Sequence, residues 1–131
     1  MFSACYWSNY DREMLASASL LEQLSAKLAD YCQSGFKAGD RTISSEEMGE
    51  FYYGSQKGHA FESIAAQQAN DPKRRESYDA FVKLVDAYDA FVADADKYRL
   101  SSPRNPNSLP SLMKEHDAVV SAAESVKAAL R

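Results

Sequence analysis

Apolar side chains between Asp71 and Arg99 recur with the period of an α-helix. Three positions in every seven are apolar, and together they form one face of a helix: Tyr78, Phe81, Leu84, Val85, Tyr88, Phe91, Val92, Ala95 and Tyr98. A face this wide is typical of a helix packed in a bundle, because a two-stranded coiled coil needs only two positions in seven. Asp71 can cap the free backbone N–H groups, and Pro72 has its φ already set for a first helical turn. The pattern predicts a helix over residues 72–98 in which Phe81, Val85 and Tyr88 are buried.

The same period occurs in three further segments, near residues 9–33, 44–69 and 109–130. The second of these has the clearest start, because Ser44 and Glu47 have the spacing of a capping box. An amphipathic helix must bury its apolar face, and the four predicted helices provide that surface for one another.

The four segments predict an all-α fold, a mostly antiparallel four-helix bundle without a sheet. At 131 residues the chain has the length of a single domain, so residues 1–131 are expected to form one bundle. Residues 1–8 are an N-terminal arm whose apolar side chains should pack on the bundle or on a partner. Residues 35–42 read as a polar loop, and residues 99–109 read as a proline-rich connector.

The second helix contains Gly49, Gly54 and Gly58, and each glycine costs a helix about 0.8–1 kcal/mol relative to alanine. The apolar face also shifts across this cluster. We therefore expect the second helix to be kinked or broken near Gly54–Gly58. The alternative is that the small residues let a neighbouring helix approach closely.

Composition narrows the classes of function. The net charge of −4 argues against a general binder of nucleic acid or of membrane surfaces. No run approaches the roughly 18 apolar residues of a membrane span, and the apolar start lacks the basic leader of a signal peptide. Cys5 and Cys32 have neither a CxxC nor a zinc spacing, so we expect free thiols, with one disulfide as the alternative. A cytoplasmic location is the expectation.

Signatures of catalysis are missing from the sequence. The segment Gly54-Ser55-Gln56-Lys57-Gly58 is not a nucleophile elbow, and neither a phosphate-binding loop nor a dinucleotide fingerprint occurs. Neither histidine follows a glutamate by three residues, which argues against a di-iron bundle. We expect a non-enzymatic protein with no catalytic residue, metal or cofactor. The alternative is a ligand or cofactor held in the core by His116, His59 and the tyrosines of the helix seams.

Two clusters point to a surface that binds another protein, since tyrosine and arginine often carry binding energy at interfaces. The first lies beside the glycines and the second opens the third helix, where cations are unfavourable by about 0.3–1 kcal/mol each. The predicted partner-binding residues are Tyr52, Tyr53, Lys57, His59, Lys73, Arg74 and Arg75. A secondary candidate is the acidic face formed by Asp79, Asp86, Asp89 and Asp96.

The resulting interpretation is a protein-interaction module, a small regulator or inhibitor such as a microbial or phage-type factor, an antitoxin or an immunity protein. Its expected partner is another protein and not a nucleic acid or a membrane, and a homodimer stays open.

Overall fold

The computed structural model describes residues 8–131, and most of them belong to four helices. These are α1 (Asn9–Ser34), α2 (Ser45–Gln68), α3 (Pro72–Leu100) and α4 (Leu109–Ala129). A 3₁₀ turn over Pro106–Ser108 leads into α4. The predicted all-α bundle is confirmed, and each helix begins and ends within two residues of its predicted limits.

Capping residues explain why the helix starts were predictable. The Ser8 hydroxyl accepts the N–H of Asp11 at the start of α1. Ser44 and Glu47 form both hydrogen bonds of the capping box at the start of α2. The Asp71 carboxylate accepts the N–H of Arg74 at the start of α3. Each bond satisfies a donor that the first turn of a helix leaves free.

The expectation that the chain forms no strand is wrong in one place. Residues 35–42 include a short antiparallel ribbon of β1 (Lys37–Ala38) and β2 (Arg41–Thr42). Phe36 and Ile43 flank the ribbon, and both side chains are buried. The Ile43 N–H donates to the Phe36 carbonyl at 2.9 Å, so the two ends of the loop are held together against the core.

The helices form an up-and-down bundle in which each helix packs antiparallel to the next one along the chain. α1 also packs against α4, and α1 and α3 touch across the diagonal. The connector after α3 joins neighbouring helices. Arg104 fixes the path of this connector, because its guanidinium donates to the carbonyls of Gly35 and Arg99 and lies over the Phe36 ring.

The core lies between all four helices and is rich in aromatic rings. Phe81, Val85 and Tyr88 are fully buried, as predicted. Phe81 meets Phe61 of α2 edge to face, with ring centres 5.3 Å apart. Edge-to-face contacts of this kind stabilise a core beyond the area that they bury.

Helix α2 is continuous through the glycine cluster, so it is not broken there, and the alternative of close packing is confirmed. A kink near Gly54–Gly58 stays a prediction. Gly54 and Gly58 are both buried. A Cβ atom on Gly54 would lie 2.5 Å from Leu24 Cδ1 and 2.7 Å from the Tyr88 hydroxyl. Tertiary packing therefore compensates the low helix propensity of these glycines.

Across residues 8–131, no helix combines the length and the apolar character needed to cross a membrane. Cys32 is buried in α1 and forms no disulfide among residues 8–131, and burial raises the pKa of its thiol to about 12. The predicted packing of the N-terminal arm and the pairing of Cys5 with Cys32 both involve residues 1–7, which lie outside the described residues.

Candidate functional site

The seam between α2 and α3 joins predicted partner-binding residues to predicted acidic residues. The Tyr52 hydroxyl donates to Asp96 Oδ2 at 2.6 Å, and Arg99 Nε donates to Asp96 Oδ1 at 2.8 Å. Desolvation of the phenol and its bond to the carboxylate raise the pKa of Tyr52 to about 12. The hydroxyl of Tyr52 is therefore engaged in a bond to α3, although the ring remains partly exposed.

Asp89 forms the second polar contact of this seam. The Ser55 hydroxyl donates to Asp89 Oδ1, and His59 Nε2 bonds to Asp89 Oδ2. The bond to the carboxylate raises the pKa of His59 above its ordinary value. A hydrolase triad places histidine between serine and the acid, so that the imidazole takes the hydroxyl proton. Here the acid lies in the middle, and this geometry holds the two helices together without activating Ser55.

The structure does not bring His59 and His116 together. His116 Nδ1 bonds to the Ser25 hydroxyl at 2.8 Å, which links α4 to α1, and its ring packs on Phe91. His59 lies half-exposed on α2, which is diagonal to α4 in the bundle. Each imidazole therefore has its own partner on a different side of the molecule.

The basic start of α3 turns back onto the end of α2. Arg74 Nη1 donates to the carbonyl of Gln68 at 3.4 Å, and Arg75 Nη2 donates to the carbonyl of Ala69 at 3.2 Å. The last carbonyls of a helix lack intrahelical donors and carry partial negative charge, so guanidinium groups stabilise them. This contact explains why two cations are tolerated at the start of α3. Lys73 is exposed beside them.

The four candidate aspartates make different contacts along α3. Asp89 and Asp96 lie in the seam with α2, and Asp86 is exposed on the same side. Asp79 instead lines a groove of about 580 Å³ between α3 and α4, together with Lys83 and many alanine and serine residues. Asp79 and Asp86 are seven positions apart and differ by only about 20° around the helix, so the acidic face stays a prediction.

A groove between α1 and α2 was missed by sequence reasoning. Its volume is about 260 Å³, and its lining is mostly apolar: Ala16, Ser17, Leu20, Leu21, Lys57, Gly58, Phe61 and Ile64. Ile64 follows Phe61 by three positions on the apolar side of α2, yet half of it is exposed at the groove edge. Tyr53 stands at one end with 58% of its surface exposed, and the Lys57 ammonium lies 5.2 Å from the centre of its ring.

An acidic pair at the connector end of the bundle was also missed. Asp94 of α3 and Glu115 of α4 line one cavity of about 340 Å³ and share a hydrogen bond. Burial, and then the bond and charge of Asp94, raise the pKa of Glu115 to about 7. The sequence could not show that Asp94 and Glu115 are neighbours, because that depends on which residues of α3 and α4 face each other. In the part of the chain that the structure describes, no cluster of histidine, cysteine and acidic side chains is arranged to hold a metal ion.

Comparison of the chain with protein-family models, with curated proteins and with solved structures finds no match.

Proposed function

We propose that this chain is a non-enzymatic protein-interaction module that binds another protein through one side of α1 and α2. The α1–α2 face consists of Ala16, Leu20, Tyr53, Lys57 and Ile64. The observation that carries the proposal is the clustering of exposed hydrophobic side chains on α2. Tyr53 and Ile64, on the α1 side of α2, are 58% and 50% exposed. The other large exposed hydrophobic residues in the described region are Tyr52, which faces α3, and Leu100.

Exposed apolar side chains at the edge of a groove favour a binding surface, because covering them removes apolar area from water. Tyrosine adds a rigid ring that often dominates the energy of an interface. The larger groove between α3 and α4 is a weaker candidate. Its walls are mainly alanine and serine, which offer little side-chain area to a partner.

The proposal revises the predicted set of binding residues. Tyr53 and Lys57 stay in the set, and Ile64 joins them. Tyr52 and His59 leave the set, because both bond to aspartates of α3 and therefore lie on the other side of α2. The guanidinium groups of Arg74 and Arg75 are engaged at the end of α2, which removes them from the interface.

Hydrogen bonding in the interior supports a binding role over a ligand-filled core. Among residues 8–131, every buried nitrogen and oxygen atom of a side chain has a hydrogen-bond partner. A site built for a core ligand would leave polar groups aimed into the core to orient it. The side chains best suited to bind a ligand or to catalyse a reaction all bond to other helices of the bundle; they are Ser55, His59 and His116.

The narrower role of a small regulator or inhibitor, acting in the cytoplasm, rests on size, acidity and the missing catalytic motifs. A microbial or phage-type factor, an antitoxin or an immunity protein would fit. The buried thiol of Cys32 is compatible with a reducing compartment.

The test compares three forms of the protein in pull-downs from a lysate of the organism that encodes it. These are the wild type, Tyr53→Ser/Ile64→Ser, and Leu100→Ser as a matched control at an equally exposed apolar residue. We expect the wild type and the control to retain the same partner. The double variant should bind that partner at least about tenfold more weakly, chiefly through faster dissociation.

Circular dichroism and thermal melts establish that all three forms are folded. The proposal is wrong if the folded double variant retains the partner as the wild type does. It is equally wrong if no protein is retained in a way that depends on Tyr53 and Ile64.

A further inference from the structure

Among the described residues, Lys57 lacks the carboxylate partner that Lys27 and Arg41 have near the start of α2. Lys27 pairs with Glu50 at 2.9 Å, and Arg41 pairs with Glu47 at 2.6 Å. Within residues 8–131, Lys57 has no carboxylate within ion-pair distance and lies only over the ring of Tyr53. An exposed ammonium that borders an apolar groove and lacks a counter-charge offers specific attraction to an incoming anion.

The shape of the groove suits a helix. It runs between two antiparallel helices, and Gly58 is part of its lining. Tyr53 and Ile64 are eleven positions apart, which corresponds to about 16 Å or three helical turns. A partner helix can place apolar side chains at i, i+4 and i+7 along a groove of this length.

Building on the proposed function, we propose that the occupant of the α1–α2 face is an amphipathic helix of another protein that carries a carboxylate opposite Lys57. Its apolar side chains pack between Leu20 and Ile64 and against the Tyr53 ring. The carboxylate supplies the counter-charge that Lys57 lacks. The chain as a whole is acidic, with a net charge of −4, so general electrostatics would favour a basic partner. Preference for an acidic helix therefore has to come from Lys57 itself.

A second copy of this chain fits the face less well. A symmetric dimer uses the same patch on both subunits. Pairing two α1–α2 faces around a two-fold axis would place a Lys57 ammonium from each copy in one shared groove. Like charges in a partly desolvated interface oppose association.

The experiment uses a phage-displayed library of helix-forming peptides with randomised surface positions, selected against the folded full-length protein. Wild type should enrich Asp or Glu at one fixed position, with large apolar residues three and four positions away. Lys57→Glu should enrich Lys or Arg at that position instead. Lys83→Glu makes the same charge change on the α3–α4 groove and should leave the selected pattern unchanged.

The best acidic peptide should bind Lys57→Glu at least about tenfold more weakly than it binds wild type, and added salt should reduce that ratio. It should also lose binding to Tyr53→Ser/Ile64→Ser. The inference is overturned if no acidic pattern is enriched, if Lys57→Glu and Lys83→Glu act alike, or if sedimentation shows a dimer that Ile64→Ser dissolves. If the selection fails while the cellular partner still depends on Tyr53 and Ile64, the inference falls and the proposed function stands.

Discussion

The Tyr88 hydroxyl donates a hydrogen bond to the backbone carbonyl of Phe51 at 2.7 Å, across the contact between α3 and α2. Tyr88 is fully buried, and this burial raises the pKa of its phenol well above the ordinary value. A buried hydroxyl without a partner would be costly, and a helical carbonyl has a second lone pair to offer. The bond is possible because Gly54 leaves room for the hydroxyl on the surface of α2.

Gly54→Ala should destabilise the protein even though alanine is the better helix former. The new Cβ would meet Leu24 Cδ1 and the Tyr88 hydroxyl at 2.5 and 2.7 Å, closer than side chains normally approach. Overpacking of this kind typically costs about 1–3 kcal/mol, against a gain in helix propensity of about 1 kcal/mol. We expect a net loss in the free energy of unfolding, measured by urea denaturation.

Gly49→Ala is the matched control on the same helix. Gly49 is exposed, and nothing lies within 4 Å of its added Cβ, so this variant should gain up to about 1 kcal/mol. Adding Tyr88→Phe to Gly54→Ala should recover part of the loss, because one of the two clashing atoms is removed. If Gly54→Ala and Gly49→Ala are equally stable, the close approach of other helices is not the reason for a glycine at position 54.

The glycine cluster shows where sequence reasoning about the fold reaches its limit. The starts of α1, α2 and α3 were predictable because Ser8, Ser44 and Asp71 act on backbone groups within the next three residues. The break near Gly54–Gly58 was inferred from the same kind of local preference, and it is absent. Propensity cannot show that Leu24 and Tyr88 occupy the space beside Gly54, because those residues belong to other helices.

Stability should fall as the pH rises from about 4.5 to about 7, because of Glu115. Its pKa is raised from 4.5 to about 7 in the folded protein, so in this window the folded chain holds a proton that the unfolded chain has released. By linkage, a state that binds more protons loses stability as protons become scarce. Denaturant unfolding of wild type at pH 5 and pH 8 measures the difference.

Glu115→Gln provides the control, since an amide cannot titrate. Its stability should change less between the two pH values than that of wild type. Asp94→Asn should also flatten the profile, because it removes the acceptor charge that helps to hold the proton on Glu115. Identical pH profiles for wild type and Glu115→Gln would rule out the shared proton.

The His59–Asp89 contact should stabilise the folded protein more at acidic pH than at neutral pH. The pKa of His59 is raised above its ordinary 6.5 mainly by the bond to Asp89, so the folded state favours the charged imidazole. The contribution is complete below pH 6.5 and is lost as the pH rises through the folded pKa. Because half of the His59 side chain is exposed, the effect should be small. An NMR titration should place the pKa of His59 above 6.5, and Asp89→Asn should bring it down.

The candidate site was predicted in part, and the reason is again the difference between local and tertiary information. Tyr53 and Lys57 were identified because tyrosine and lysine stand out near the glycines. The sequence could not show that Tyr52 bonds to Asp96, since that depends on how α2 and α3 are registered. Ile64 looked like a core residue because it lies three positions after Phe61, within about 60° on a helical wheel. Phe61 packs on Phe81 of α3 and is buried, whereas Ile64 stays half-exposed.

The arginines at the start of α3 should matter for stability more than for partner binding. Arg74 and Arg75 donate to the carbonyls of Gln68 and Ala69 at the end of α2, where guanidinium groups complement the helix dipole. Arg75→Ala should therefore lower the free energy of unfolding by about 0.3–1 kcal/mol, and added salt should shrink this loss. Lys73→Ala removes an equal charge from an exposed neighbour and should stay within about 0.5 kcal/mol of wild type. Urea denaturation at two ionic strengths gives both values. If Lys73→Ala costs as much as Arg75→Ala, general charge balance at the helix start is responsible and the bond to Ala69 contributes nothing.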